Sequence, residues 1–328
     1  MMTIRLGIDV GYGYTKAASE SGRRIILPST VGPARTARGL GAAFGDGHHR
    51  DGRDVTIGIN GVENRYTIGS ATGQRSWASD AAARSGYLPL AVTAAVLAGG
   101  EGDVAILAGL PLAMWLQADQ RKALRNELRG VEAAVTVDGR RPKQIHVADA
   151  KILPQGAGAF AQALRSDPTL SELPAGLIDI GYRTVDFVAM RRTAGAVAPD
   201  EAACGSIDLG AGRVFENVRQ ALSDATGTML PAGAVEDALA NYHGRLTIRG
   251  QDQDVASLVD AEAAALATAI AEQIQRTWSG RLDLMGAVLL AGGGGALLHQ
   301  HLRRLHPRVR LLDRALWANA EGYLVMAG

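Results

Sequence analysis

Two acids set within matching apolar surroundings carry the chemistry of this chain. Near the amino terminus, Leu6-Gly7-Ile8-Asp9-Val10-Gly11-Tyr12-Gly13-Tyr14-Thr15-Lys16 reads as a buried strand that delivers a carboxylate, turns on small residues and leaves with a lysine. Such a turn lets backbone N–H groups approach an anion, with the acid and the lysine beside it. An ordinary β-hairpin is the competing reading of this stretch taken alone. The design recurs at Gly176-Leu177-Ile178-Asp179-Ile180-Gly181, followed by Tyr182, Arg183 and Thr184 and a returning strand that contains Asp186. An apolar strand ending in Asp and Gly, twice in one chain, points to two related domains facing one another across a cleft. Two carboxylates turned toward a polyphosphate repel it unless a hard cation lies between them, and Mg²⁺ meets that need.

Two further stretches complete the set. Ile152-Leu153-Pro154-Gln155 ends a strand and enters a small-residue helix, with Gln155 at its start. Its carboxamide both donates and accepts, so it can orient a water, although by itself a glutamine there is more often a cap or surface residue. Ala287 to Ala291 is a strand, and Gly292-Gly293-Gly294-Gly295 lead from it toward a helix, where the lack of Cβ atoms lets a flat ligand lie against backbone.

The elements that must position these groups follow from periodicity and turn chemistry. Thr3 to Val10, Tyr14 to Ser19 and Arg24 to Leu27 form a three-strand meander stopped by Pro28. Gly32 to about Arg53 reads as a loop, in which His48 and His49 beside Asp46 and Asp51 invite a metal reading that no ligand spacing supports. Val55 to Asn60 and Arg65 to Gly69 alternate as a hairpin about Gly61 to Asn64. Tyr87 to Ala98 predicts a buried helix, Asp103 to Gly109 a buried strand, Leu116 to Arg129 a surface helix, and Val131 to Val137 with Lys143 to Val147 a hairpin. In the second half, Gly205 to Ser223 turns helical after a glycine-rich entry, Ala232 to Asn241 is a shorter helix, and Leu246 to Ile248 belongs to a small hairpin. Asp254 caps a long helix, Val255 to Trp278, with Leu258, Leu266, Ile270, Ile274 and Trp278 near one face. Ala318 to Leu324 is a small-residue helix that returns the chain to the first domain.

Length and composition bound the answer. A chain of 328 residues suits about two domains of roughly 150 residues each. With 47% apolar and 20% charged residues it is a globular protein, and a net charge of +1 argues against nucleic acid or membrane as a default partner. Its 41 glycines, without a Gly-x-y period, mean many tight turns. Arg303, Arg304, His306, Arg308 and Arg310 form a basic run that reads first as a solvated helix end. One cysteine, Cys204, excludes an internal disulfide and a Cys-based zinc cluster, and with no secretory h-region it predicts a cytoplasmic location. The apolar runs at Leu88 to Ala98 and Ala287 to Leu298 fall short of the ~20 residues of a spanning helix.

Five stretches in order, Asp9 to Lys16, Leu153 to Phe160, Asp179 to Asp186, Leu290 to Ala296 and Ala318 to Tyr323, resemble the nucleotide site of the actin superfamily. The wording Gly7 to Lys16, Leu27-Pro28-Ser29 and Ala318-Asn319-Ala320 is most similar to prokaryotic actin-like proteins of the ParM/StbA plasmid-segregation type and to archaeal actin-like ATPases. The resemblance implies an α/β chain with the actin-like ATPase fold, two duplicated ribonuclease-H-like domains around a nucleotide cleft. It divides the chain into residues 1–165 plus 313–328, with a hairpin insertion at about 33–75, and residues 166–312, with an insertion at about 228–253. It further implies that Gly11, Tyr12, Gly13, Tyr14 and Lys16 surround the β- and γ-phosphates of ATP or ADP, and that Gly181, Tyr182, Arg183 and Thr184 form the second phosphate loop. Asp9 and Asp179 would hold Mg²⁺ largely through water, Gln155 would orient the attacking water, and Gly292, Gly293, Gly294 and Gly295 would lie against the adenosine. Where this chain has Gln155, ParM-type proteins usually present Glu, and Tyr182-Arg183 replaces smaller residues. The implied activity is ATP hydrolysis coupled to assembly into filaments of this chain, with plasmid DNA reached through an adaptor protein and with no direct nucleic-acid or membrane contact. A sugar or carboxylate kinase of the same fold is the alternative, with Asp149 the nearest candidate base. A DnaK-type chaperone, which would need a further peptide-binding domain, and a nucleotide-binding anchor that never polymerises are weaker readings.

Overall fold

The computed structural model describes residues 3–34, 52–59, 61–70, 74–75, 86–193 and 196–327. His48, His49, Asp46 and Asp51, and with them much of the expected 33–75 insertion, lie outside the described residues. The chain divides into two compact units, Met1–Gln162 with Asn319–Gly328, and Ala163–Ala318.

In unit 1, β1 (Ile4–Val10), β2 (Tyr14–Ser19), β3 (Arg24–Pro28), β4 (Thr30–Pro33), β5 (Arg53–Ile59), β6 (Val62–Ile68) and β7 (Gln74–Arg75) precede α1 (Tyr87–Leu97). Then come β8 (Gly102–Leu110), α2 (Leu112–Trp115), α3 (Ala118–Leu128), β9 (Glu132–Val137), β10 (Lys143–Pro154) and α4 (Ala157–Ser166), which runs over the unit boundary. Unit 2 holds β11 (Ala175–Ile180), β12 (Val185–Thr193), β13 (Ala196–Pro199), β14 (Gly205–Ile207), α5 (Gly212–Thr226), α6 (Ala234–Asn241), β15 (Arg245–Ile248) and β16 (Gln251–Asp254). It continues through α7 (Val255–Thr277), β17 (Ala287–Ala291), α8 (Gly293–Leu302) and β18 (Val309–Leu311), after which α9 (Ala318–Ala327) rejoins unit 1.

The two sheets repeat one topology. In unit 1 the strands run β3-β2-β1-β8-β10, and in unit 2 β13-β12-β11-β17-β18. Each has antiparallel pairs on the hairpin side and parallel pairs beyond the first strand. The first strand of each therefore sits mid-sheet and is covered on both faces. Its residues are apolar for that reason: Leu6 and Ile8 in β1, and Leu177, Ile178 and Ile180 in β11, are fully buried. Each unit has its own core, with β1 and α1 at the centre of one and β11, α5 and α7 at the centre of the other.

Several elements differ from the sequence reading. The β5–β6 turn is tighter than Gly61 to Asn64, because Val62, Glu63 and Asn64 pair with Ile59, Gly58 and Ile57. The same hairpin continues the main sheet through β9, with Val55 opposite Val137 and Ile59 opposite Ala133. The helix expected from Leu116 begins at Ala118, since Gln117 is extended and Leu116 is exposed. The helix expected from Gly205 begins at Gly212, because Gly205–Ile207 instead pairs with β12. Along α7 the buried stripe is Val255, Val259, Ala263, Leu266, Ala267, Ile270 and Ile274, and Leu258 faces solvent. Asp254 caps that helix as expected, accepting from the Ser257 amide at 3.1 Å. Among the described residues no helix is long and apolar enough to cross a membrane.

Candidate functional site

The site residues fall into two groups, one in each unit. In unit 1, β1 and β2 form a hairpin in which Asp9 is opposite Lys16 and Val10 opposite Thr15. The turn closes with Gly11 N donating to the Tyr14 carbonyl at 3.2 Å. Neither Gly11 nor Gly13 has positive φ. Gly11 is needed for space, since a Cβ there would lie 3.0 Å from the Tyr14 oxygen and 3.4 Å from Lys16 Nζ. Cross-strand pairing puts the Asp9 and Lys16 side chains on one face, where Nζ meets Asp9 Oδ2 at 3.2 Å with both groups largely removed from solvent. The turn is braced from β3: Ser29 N donates to the Gly13 carbonyl at 2.9 Å, and the Ser29 and Thr15 hydroxyls are 2.8 Å apart.

Gln155 reaches the same carboxylate from the turn that follows β10. Its backbone N–H donates to the Leu110 carbonyl at 2.8 Å, and its Nε2 donates to Asp9 Oδ1 at 2.7 Å. A carboxylate only accepts, so the amide nitrogen must face Asp9 and the amide oxygen is presented elsewhere. Gln155 lies in the turn before α4, two residues ahead of the helix. Burial, and then the Asp9 charge, push the Tyr87 hydroxyl far above the ordinary tyrosine range, so it stays protonated beside this cluster.

Unit 2 repeats the turn. Asp179 stands opposite Asp186 and Ile180 opposite Val185, and Gly181 N donates to the Thr184 carbonyl at 2.9 Å. Both acids are buried. The start of α5 is fastened to this loop, with Ala211 N on the Gly181 carbonyl at 3.0 Å and Gly212 N on the Tyr182 carbonyl at 2.7 Å. The Tyr182 ring lies where a Gly212 side chain would be, and its hydroxyl donates to Glu236 at 3.1 Å. Arg183 points to Asp208, Nε to Oδ1 at 3.1 Å, in an exposed pair.

The four glycines are not a loop. Gly292 caps α8 with φ 79°, and Gly293, Gly294 and Gly295 form its first turn. A Cβ on Gly292 would meet the Asp179 carboxylate and the Ile180 carbonyl, and one on Gly294 would meet Ile180 and Ala211. Glycine here brings the α8 amino terminus directly against the acid of β11, with Gly292 N donating to the Ala315 carbonyl at 3.0 Å and Gly295 N to the Gly292 carbonyl at 3.2 Å.

Asp149, the candidate base of the kinase reading, is exposed on β10 and 3.5 Å from Arg125. The basic run is taken up locally: Arg310 pairs with Asp167 at 2.9 Å, Arg308 donates to the Gly286 carbonyl, and His306 is nearly buried. Among the described residues no group of three or more His, Cys, Asp or Glu side chains is placed to hold a metal. Ser29 and Asn319, which entered the sequence analysis only in the wording of the resemblance and without a role, take positions in the site. The Asn319 carboxamide oxygen accepts from Gly156 N at 3.0 Å and Ala159 N at 3.2 Å. Its place in Ala318-Asn319-Ala320 was the signal in the sequence.

A repeated five-strand unit with an Asp-bearing first strand and a glycine-turn hairpin defines the actin-like fold, and known proteins agree. Residues 7–158 match the family described as actin like proteins N terminal domain, and residues 177–304 match archaeal actin homologue MreB-like, C-terminal. An archaeal actin homolog of Thermoplasma volcanium is 26% identical over 97% of each chain, and one of Thermoplasma acidophilum is 25% identical over the same shares. Among solved structures, a 15-stranded ParM filament from Clostridium botulinum superposes with TM-score 0.87 at 25% identity over 99% of both chains. An archaeal actin homolog in complex with ADP superposes with TM-score 0.78 at 21% identity, again over 99% of both. The chain belongs to the actin superfamily, as a prokaryotic actin-like protein.

Proposed function

We propose that this protein is an ATPase that assembles with itself into filaments in its Mg-ATP state and hydrolyses the nucleotide within them. The observation that carries the reading is the Gln155 amide held at 2.7 Å from Asp9, beside a phosphate-type turn that a second unit repeats. In this reading each turn is a phosphate-binding loop, that of unit 2 set beside the α8 amino terminus. The Gly11 and Gly181 N–H groups close their own turns, so the phosphates are met by the amides of residues 12–14 and 182–184 and by Lys16. Gly292 to Gly295 offer backbone to the adenosine side.

The donors suit Mg²⁺: Asp9 and Asp179 are hard oxygen ligands, and the opposed acids Asp179 and Asp186 favour a divalent cation over none. When bound, the ion neutralises charge on the phosphates. Gln155 keeps its oxygen toward the attacking water, and positioning with charge neutralisation is most of what phosphoryl transfer requires. Relatives support the assembly: one similar chain is a multi-stranded ParM filament and another binds ADP. DNA segregation in the cytoplasm through a separate adaptor is the role that fits the ParM likeness.

The reading is tested by light scattering, pelleting and electron microscopy with Mg-ATP and with a non-hydrolysable analogue. Assembly above a critical concentration that needs both Mg²⁺ and nucleotide is expected; monomers under all conditions would sink the proposal.

A further inference from the structure

We infer that Asn319 is a positioning residue for Gln155, so that the hydrolytic step depends on a side chain of α9. The inference rests on the reading of Gln155 as the residue that orients water.

The need begins in the sequence. An α-helix starts with backbone N–H groups that have no partner within it, and a polar side chain just before the helix ordinarily caps them. Before α4 stands Gly156, at φ 83°, which has no side chain to offer. Asn319 supplies the cap from a distant part of the chain, its one oxygen accepting from both Gly156 N and Ala159 N, and all of these atoms are buried. Gly156 is bonded to Gln155, so the cap fixes the turn from which Gln155 projects. The Gln155 side chain is fixed at its other end by Asp9.

The helices α4 and α9 pack with almost no tolerance. A methyl group on Gly322 would run into the Gly158 carbonyl, and one on Gly158 would strike the Tyr323 ring. Asn319 is also where the chain re-enters unit 1, and α4 is where it leaves. A shift of α9 at this point is therefore passed through a rigid contact and two hydrogen bonds to the Gln155 turn. The Asn319 oxygen acts on the backbone that carries Gln155, through Gly156 N and Ala159 N, so its effect is expected in the rate of the chemical step.

The test compares Asn319→Ala, Asn319→Asp, Gln155→Ala and the double variant Gln155→Ala with Asn319→Ala, in full-length protein. Asn319→Ala is expected to lower kcat for phosphate release about tenfold while the affinity for a non-hydrolysable ATP analogue changes less than about twofold. Asn319→Asp, which keeps the acceptor at a helix amino terminus, restores most of the rate. The double variant is no slower than Gln155→Ala alone, because the two act as one unit. Additive losses, a parallel fall in analogue affinity, or an Asp variant as slow as the Ala variant overturn the inference. A wild-type rate that Gln155→Ala leaves untouched overturns the reading of Gln155 and this inference together. A rate sensitive to Gln155 and indifferent to Asn319 overturns only the coupling. Should Asn319→Ala fail to fold, Asn319→Ser, with a shorter acceptor, reads the same comparison.

Discussion

The turn of β1–β2 and the turn of β11–β12 are one device built twice with opposite charge. Each ends a buried strand with Asp, closes its turn by a glycine N–H, and returns to place a partner opposite the acid. In unit 1 that partner is Lys16, and Gln155 adds a second hydrogen bond, so Asp9 carries its own counter-charge. In unit 2 the residue opposite is Asp186, and the glycine start of α8 lies close to the Asp179 carboxylate. The first turn is complete as a protein structure. The second sets two acids opposite one another beside a helix amino terminus. The backbone is the same in both, and one register position sets them apart.

This contrast can be broken most sharply at the acids. Asp9→Ala leaves the Lys16 ammonium buried without its partner and should destabilise the nucleotide-free protein by about 3–5 kcal/mol. Asp179→Ala should cost clearly less in the same urea titration while weakening Mg-nucleotide binding. Equal losses of stability would show that the two turns are not differently balanced.

Next in size is Gly292→Ala, which combines an unfavourable φ with collision against Asp179 and Ile180. A loss of nucleotide affinity of about a hundredfold is expected, the equivalent of roughly 3 kcal/mol, read by calorimetry. Affinity within a factor of two of the parent would remove α8 from the site. Gln155→Ala, the corresponding probe of the first turn, should leave affinity alone and slow phosphate release by about 10 to 100-fold.

A smaller effect is expected at Arg183. Its pair with Asp208 is exposed, and such pairs contribute about 0–1 kcal/mol. Arg183→Ala should leave stability unchanged; a large drop in turnover would instead show that the side chain leaves Asp208 for phosphate.

The units should also part under acid. Asp254 is held below the ordinary 3.8 chiefly by its bonds from Ser257, and Asp200 chiefly by its hydrogen bond from Arg281. Asp167 is held low by Thr169 and then Arg310. A depressed carboxylate stabilises the fold above its unfolded value, and that contribution is lost as pH falls from about 3.8 through the folded one. All three lie in unit 2, so hydrogen exchange should show unit 2 loosening first below that pH. Earlier loosening of unit 1 would contradict this.

Much of the fold was legible because each central strand is covered on both faces. Residues 6–10 and Ala175–Ile180 are buried and apolar apart from one acid, and that acid, penultimate in each strand, stands out against the background. Where pairing rather than local pattern decides, reading failed: Gly205–Ile207 is a strand only because β12 lies beside it, and Leu258 falls outside the α7 stripe because the stripe follows the packing partners. The four glycines read as a lead-in to a helix since nothing local favours helix in them; proximity to Ile180 and Asp179 explains the small size of Gly292 and Gly294.

Residue order alone determined that two Asp-Gly turns recur, that a glutamine follows one strand and glycines another, and that the chain resembles an actin-like protein. Those are properties of spacing, which survives any folding. Tertiary structure decided who stands opposite whom: Lys16 against Asp9, Asp186 against Asp179, and Asn319 on the turn of Gln155 from 163 positions away. Register and long-range caps arise only when distant segments are brought together, and no local pattern encodes them.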